Sequence, residues 1–134
     1  MQKNRVLIFL LFTVYFSCHN RIEEACASRK IKVIATAYNS LAYQTNANSH
    51  ITAFGDSLKP GFKYIAVSRD LLDSGLVHNT KVKIEGFDDI FIVKDKMNRR
   101  WRKRIDIYMG TDVKKAKQWG KQKVDIEYCI QTKD

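Results

Sequence analysis

Asp95 and Asp106 lie eleven residues apart, one at the end and one in the middle of short apolar segments. Paired carboxylates suit acid–base cleavage of a glycosidic bond, because each charge raises the pKa of the other towards the range of a working acid. In Arg104-Ile105-Asp106-Ile107-Tyr108, strand alternation puts both isoleucines on one face and Asp106 on the other with Arg104 and Tyr108. Two readings follow: an acid projecting into a cleft, or a surface carboxylate paired with Arg104. Asp95, in Val93-Lys94-Asp95-Lys96, ends the preceding segment, so two adjacent antiparallel strands could bring both carboxylates to one end of a barrel. Lys94 and Lys96 would oppose a raised pKa there.

Between the aspartates runs Arg99-Arg100-Trp101-Arg102-Lys103-Arg104. Alone it would fit nucleic-acid binding. It also fits a solvated hairpin tip, or one wall of a groove for an anionic polymer, with Trp101 stacking on sugar rings. His19, His50 and His78 are scattered, lack metal-ligand spacing and read as tether and loop residues, so no metal site is expected.

The elements that must position these residues are mostly strands. Lys32–Tyr38, Phe62–Val67, Lys81–Glu85, Asp89–Val93, Arg104–Met109 and Lys123–Ile130 carry the alternation or β-rich composition of short strands. Asn39 to His50 is polar and reads as a loop, and Lys59-Pro60-Gly61 as a turn. One helix is expected from Asp112 to Trp119, with Thr111 as N-cap, Gly120 after its end, and Val113, Ala116 and Trp119 facing inward. Six short strands and one short helix predict an all-β fold, a small closed barrel. No internal sequence repeat is evident.

The 134-residue chain suits one domain and is too short for two. Its formal net charge of +10 fits an anionic partner: nucleic acid, acidic membrane or acidic polymer. The N-terminus narrows that choice. Lys3 and Arg5 precede an apolar-to-neutral run from Val6 to Phe16, eleven residues where a membrane-spanning helix needs roughly twenty. This pattern predicts a secretory signal peptide over residues 1–17, the alternative being a buried core helix. Ser17-Cys18 resembles a lipoprotein cleavage site, which would make Cys18 a lipidated first residue and supply a membrane anchor; plain secretion is the alternative. Residues 18–30 then read as a tether and 31–134 as the folded domain. The expected location is the bacterial cell envelope, where nucleic acid is not a partner. Two cysteines remain after Cys18, Cys26 and Cys129, and an exported chain can join them, if the first and last strands are close. Two separate thiols are the other reading.

Several pieces together resemble the three-aspartate (3D) domain, shared by membrane-bound lytic transglycosylase A and small stationary-phase secreted muralytic proteins. They are Ala35-Thr36-Ala37-Tyr38, Thr52-Ala53-Phe54-Gly55, Ile65-Ala66-Val67, Thr80 to Gly86, Asp95, Ile105-Asp106-Ile107-Tyr108 and Ala116 to Gly120. The resemblance covers roughly Ile34 to Ile130. It implies a six-stranded double-psi β-barrel that binds and cuts peptidoglycan glycan strands as a monomer, without cofactor or metal. It also implies that Asp106 is the single catalytic acid and base, supported by Asp95. Thr36, Tyr38 and Tyr108 become candidate substrate contacts beside them, as does Trp101. The family's first aspartate falls at Ser68, with Asp70 two residues later, and both join the candidate substrate-binding set. After Asp95 the family has a glycine pair where this chain has Lys96-Met97-Asn98.

Overall fold

The computed structural model describes residues 26–41 and 50–131. The expected signal peptide, Cys18, His19 and residues 18–25 of the expected tether lie outside the described residues. Six strands form: β1 (Cys26–Tyr38), β2 (Tyr64–Val67), β3 (Lys81–Ile84), β4 (Ile90–Lys96), β5 (Arg104–Tyr108) and β6 (Gln122–Gln131). Two short helices, α1 (Arg69–Asp73) and α2 (Val113–Trp119), accompany them. The strands close into a barrel in the order β1-β5-β2-β4-β3-β6. Alternation gives the strands an apolar face for the interior. Val82 and Ile84 are buried while Lys81 and Lys83 are exposed on β3, and Ile105 and Ile107 are fully buried on β5. Such side chains from all six strands fill the interior, with Phe91 among the largest, each stabilising the fold by about 1.5–3 kcal/mol.

β1 is parallel to β5, and β2 is parallel to β4, while β2 and β5 between them are antiparallel. The chain therefore passes from β1 to β2 across β5, and from β4 to β5 across β2. These are the two crossed connections of a double-psi barrel. A pseudo-twofold relates β1-β2-α1-β3 to β4-β5-α2-β6, although no repeat is legible in the residues. Around the barrel, strands from the first half alternate with strands from the second, so every ladder joins the two halves.

Three local details differ from expectation. Strand β1 starts at Cys26, so Cys26–Lys30 is not tether. Every residue of that stretch is exposed and carries no hydrophobic signal; pairing with Glu127 to Gln131 of β6 and the Cys26–Cys129 disulfide hold it. The Cα atoms of that disulfide are 5.3 Å apart, inside the usual range. Helix α1 is too short for a helical period to show in the sequence. Gly75 follows it at φ +94, where a Cβ would also meet the Ile130 side chain at 2.9 Å. In α2 the N-cap is Asp112, not Thr111: its carboxylate accepts from the Lys115 amide at 2.9 Å. A carboxylate at that position also opposes the helix dipole better than a hydroxyl.

Candidate active site

Thr36, Asp106, Ala66 and Asp95 form one rung across four neighbouring strands, β1, β5, β2 and β4. Three of them get there by simple alternation: Ala35, Ile105, Ile107, Ile65 and Val67 turn inward, so Thr36, Asp106 and Ala66 turn to the outer face. Asp95 does not. Phe91 and Val93 are buried, and strict alternation would send Asp95 into the core with them. The β2–β4 register skips Lys94, pairing Ile65 with Val93 and Ala66 with Asp95. This irregularity reverses the face of the strand and puts Asp95 on the rung, a known use of bulges beside functional sites.

Ala66 has too little bulk to fill the space between the two aspartates. The result is a cleft of about 190 Å³ lined by Tyr38, Ala66, Asp95, Lys96, Met97, Asn98, Trp101 and Asp106. A groove of about 890 Å³ runs along β3 and β6 past Val77, Ile90 and Tyr128. It is larger, but neither Asp95 nor Asp106 lines it.

Burial is the main cause of the electrostatics there. It raises the pKa of Asp106 above the usual carboxylate range; the Thr36 hydroxyl, which donates to Oδ1 at 2.9 Å, and the Arg104 charge pull it back, and the Asp95 charge adds to the rise. Asp95 is likewise raised by burial, against two backbone donors on its Oδ1, from Ala53 at 2.7 Å and Lys96 at 2.8 Å. Tyr38 is held neutral: burial first, then the charges of Asp95 and Asp106, push its phenol far up. Its buried hydroxyl has no hydrogen-bond partner among the described residues.

The expected site residues divide into two groups. Asp106, Asp95, Thr36, Tyr38 and Trp101 meet at the cleft. Trp101 has one limit as a stacking platform, since the Arg104 guanidinium already lies 3.8 Å from its ring centroid and that of Arg100 4.6 Å. Ser68, Asp70 and Tyr108 are placed elsewhere. Ser68 is fully buried, and its hydroxyl accepts from the Arg104 amide at 3.0 Å. Asp70 accepts from the Lys103 amide at 2.9 Å. Both therefore pin the entry to β5 and do not line the cleft. Tyr108 is buried, bonds Ser40 through its hydroxyl at 2.7 Å, and packs against Tyr38 at 5.4 Å.

Sequence reasoning missed three contributors. Ala66 carries no chemical signal, and its role comes from a side chain of only one methyl group. The Ala53 amide belongs to a hairpin closed by an Ile51–Ser57 bridge, inside a segment without alternation. His78, expected to be a plain loop residue, pairs with Asp56 through Nε2 at 2.5 Å. Among the described residues no group of three or more His, Cys, Asp or Glu side chains is placed to hold a metal ion.

No family profile matches the chain, and no curated protein matches it. Two solved structures are similar to it: apo expansin of Clavibacter michiganensis, and a mutant of that expansin in complex with cellohexaose. Each is 16% identical with a TM-score of 0.46, over 79% of this chain. The chain spans about half the length of those expansins, 52% in both cases.

Proposed function

We propose that this barrel is an exported lytic transglycosylase that cuts the β-1,4 bond between N-acetylmuramic acid and N-acetylglucosamine in peptidoglycan. The observation that carries the reading is Asp106: a carboxyl made a weaker acid by burial, held by Thr36, and facing an open cleft. Protonated Asp106 donates to the glycosidic oxygen as the bond to the anomeric carbon breaks. The resulting carboxylate then takes the proton of the muramic acid C6 hydroxyl, whose oxygen closes on that carbon to form a 1,6-anhydro ring. One carboxyl serves both steps because the leaving group departs before the base is needed. Neutral Tyr38 lines the cleft beside both aspartates. Lys96 and the arginines around Trp101 suit the carboxylates of lactyl groups and stem peptides. The leader expected over residues 1–17 and the resemblance to the three-aspartate domain support that substrate, and Cys18 would anchor the domain beside it.

A specific observation favours a second reading, a non-catalytic glycan-binding barrel. Ser68 occupies the family's first-aspartate position and turns inward to the Arg104 amide. The cleft thus holds two carboxylates where the family pattern has three. Product analysis on purified peptidoglycan sacculi decides among the possibilities. Anhydro-muramic ends that disappear with Asp106→Asn support the transglycosylase. Reducing ends mean hydrolysis, with Asp95 activating water. Binding without fragments means a binding module.

A further inference from the structure

Asp95 owes one of its two backbone donors to a segment outside the barrel. The hairpin from His50 to Leu58 is closed by Leu58 N–H on the His50 carbonyl and Thr52 N–H on the Asp56 carbonyl. The buried Thr52 hydroxyl oxygen tightens its tip by accepting from the Phe54 and Asp56 amides at 3.3 and 3.0 Å. Ala53 sits at that tip, exposed and with only a methyl side chain. Its position is therefore set by how the hairpin is fastened to the barrel.

The polar fastening is Asp56. Its Oδ1 meets Lys94 Nζ at 2.9 Å and its Oδ2 meets His78 Nε2 at 2.5 Å. Lys94 is the residue that the β2–β4 register skips, which leaves its ammonium free to reach sideways. His78 is itself stacked on Phe54 of the same hairpin, 4.7 Å between centroids, and the Lys96 ammonium covers that ring at 5.2 Å. The Asp56–Lys94 pair is partly sheltered, with side-chain exposures of 17% for Lys94 and 23% for Asp56, so water screens it less than a fully exposed pair. The Lys94 bond is the main cause that keeps Asp56 ionised below the usual carboxylate range, with His78 adding to it.

We propose that Asp56 is a positioning residue for the cleft: by gripping Lys94 and His78 it holds the hairpin so that the Ala53 amide occupies one oxygen of Asp95 and leaves the other for the cleft. The inference deepens the glycan-cleaving reading and rests on it only for its effect on turnover. The geometry itself can be tested without substrate.

The test uses the whole exported domain, with Asp56→Asn, which keeps size and removes charge, and Lys94→Met, which removes the partner. Two readouts are taken: hydrogen exchange of the Ala53 amide and the carbon-13 carboxyl titration of Asp95. Freed from its carboxylate acceptor, the Ala53 amide exchanges at least about tenfold faster, while Ile105 and Val82 amides keep their protection. The Asp95 midpoint moves up, because a donor that lowered it is gone. The direction is diagnostic for Asp56→Asn. The Asp56 charge by itself raises the Asp95 pKa, so a purely electrostatic role would move that midpoint down. A downward or unmoved midpoint, or an Ala53 amide as protected as in the parent, overturns the proposal. Lys94→Met gives the same two changes, and the double variant adds little to either, which keeps the test decisive if one variant folds poorly. With sacculi, kcat falls severalfold at unchanged KM. If the parent protein releases no fragments while both readouts move as stated, the hairpin role stands and the glycan-cleaving reading falls.

Discussion

Ala66 faces Asp106 across the β2–β5 ladder, and the bulk it lacks is the space that the Asp106 carboxyl looks into. Asp95 borders the same space from β4, paired with Ala66 on its other side. One small residue thus separates the two acids and makes the floor of the cleft.

Filling that floor should close the site. Ala66→Leu is expected to abolish both cleavage and retention of soluble glycan fragments, while costing about 1–3 kcal/mol of stability. Because Ala66 is 5% exposed, circular dichroism and a melting curve are needed alongside to show a folded barrel. Unchanged cleavage would place the glycan site elsewhere.

The two aspartates should differ in weight. Asp106→Asn removes the transferable proton and is expected to lower cleavage by about 10²–10⁴-fold, leaving sacculus binding intact. Asp95→Asn acts through the charge it exerts on Asp106, so it should cost less. It should also lower the Asp106 titration midpoint, since the Asp95 charge helps to raise it. Equal or greater loss with Asp95→Asn would reverse the assignment.

Stability should carry the opposite sign to activity. A carboxyl whose pKa is raised on folding binds its proton more tightly in the native state, so it favours the fold at acid pH and opposes it once pH exceeds the native pKa. Asp106 and Asp95 are both of this kind. Asp106→Asn is therefore expected to melt higher than the parent at about pH 7 and to lose that advantage at about pH 3. Melting curves across this window check it, and an equal offset at both pH values would refute a buried, weakened acid.

Much of this rung was legible, and the limit was a single strand. Isoleucines on both sides of Asp106 fixed its face by alternation, and the inward row Val113, Ala116 and Trp119 of α2 is less exposed than the lysines around it. Asp95 was different: buried Phe91 and Val93 set a parity that points it inward, and only the skipped register at Lys94 turns it out. A bulge depends on the partner strand, so no count along β4 reveals it. The Asp56–Lys94 and Asp56–His78 contacts link residues 38 and 22 positions apart. The strand Cys26–Lys30 is exposed throughout, and its strand character is supplied by β6. Ser68 and Asp70 show the converse: expected as substrate contacts, they bond instead to the backbone of Arg104 and Lys103.

The basic turn between β4 and β5 offers a binding test. Arg99, Arg100 and Arg102 are exposed, so their attraction for an anionic wall should fade with salt over a Debye length of about 8 Å at physiological ionic strength. Changing all three to Gln is expected to weaken pull-down by sacculi at low salt and flatten its salt dependence. An unaltered pull-down would leave these charges as a solvated tip.

Removal of the disulfide should separate stability from function. Cys26 and Cys129 are 103 positions apart, and in the chain-entropy model a loop of about that length stabilises by as much as ~4.7 kcal/mol. Neither cysteine lines the cleft. The Cys26→Ser/Cys129→Ser protein is expected to melt lower while cutting at the parental rate well below its melting point. Lost activity in a folded double variant would tie the ribbon of β1 and β6 to the site.

The alternation of the two halves around the barrel governs when the chain can fold at all. Among the described residues, strands β1, β2 and β3 pair only with β4, β5 and β6, so a chain emerging N-terminus first has no barrel ladder to form until β4 arrives. Most of its contacts are distant in sequence, the kind that makes folding slow and leaves strand edges open to aggregation. Cleavage in the turn between Ile84 and Ile90 would yield two pieces, neither holding a pair of the six barrel strands. They could regain structure only by finding each other, which makes this turn the natural place to split the domain into complementing fragments.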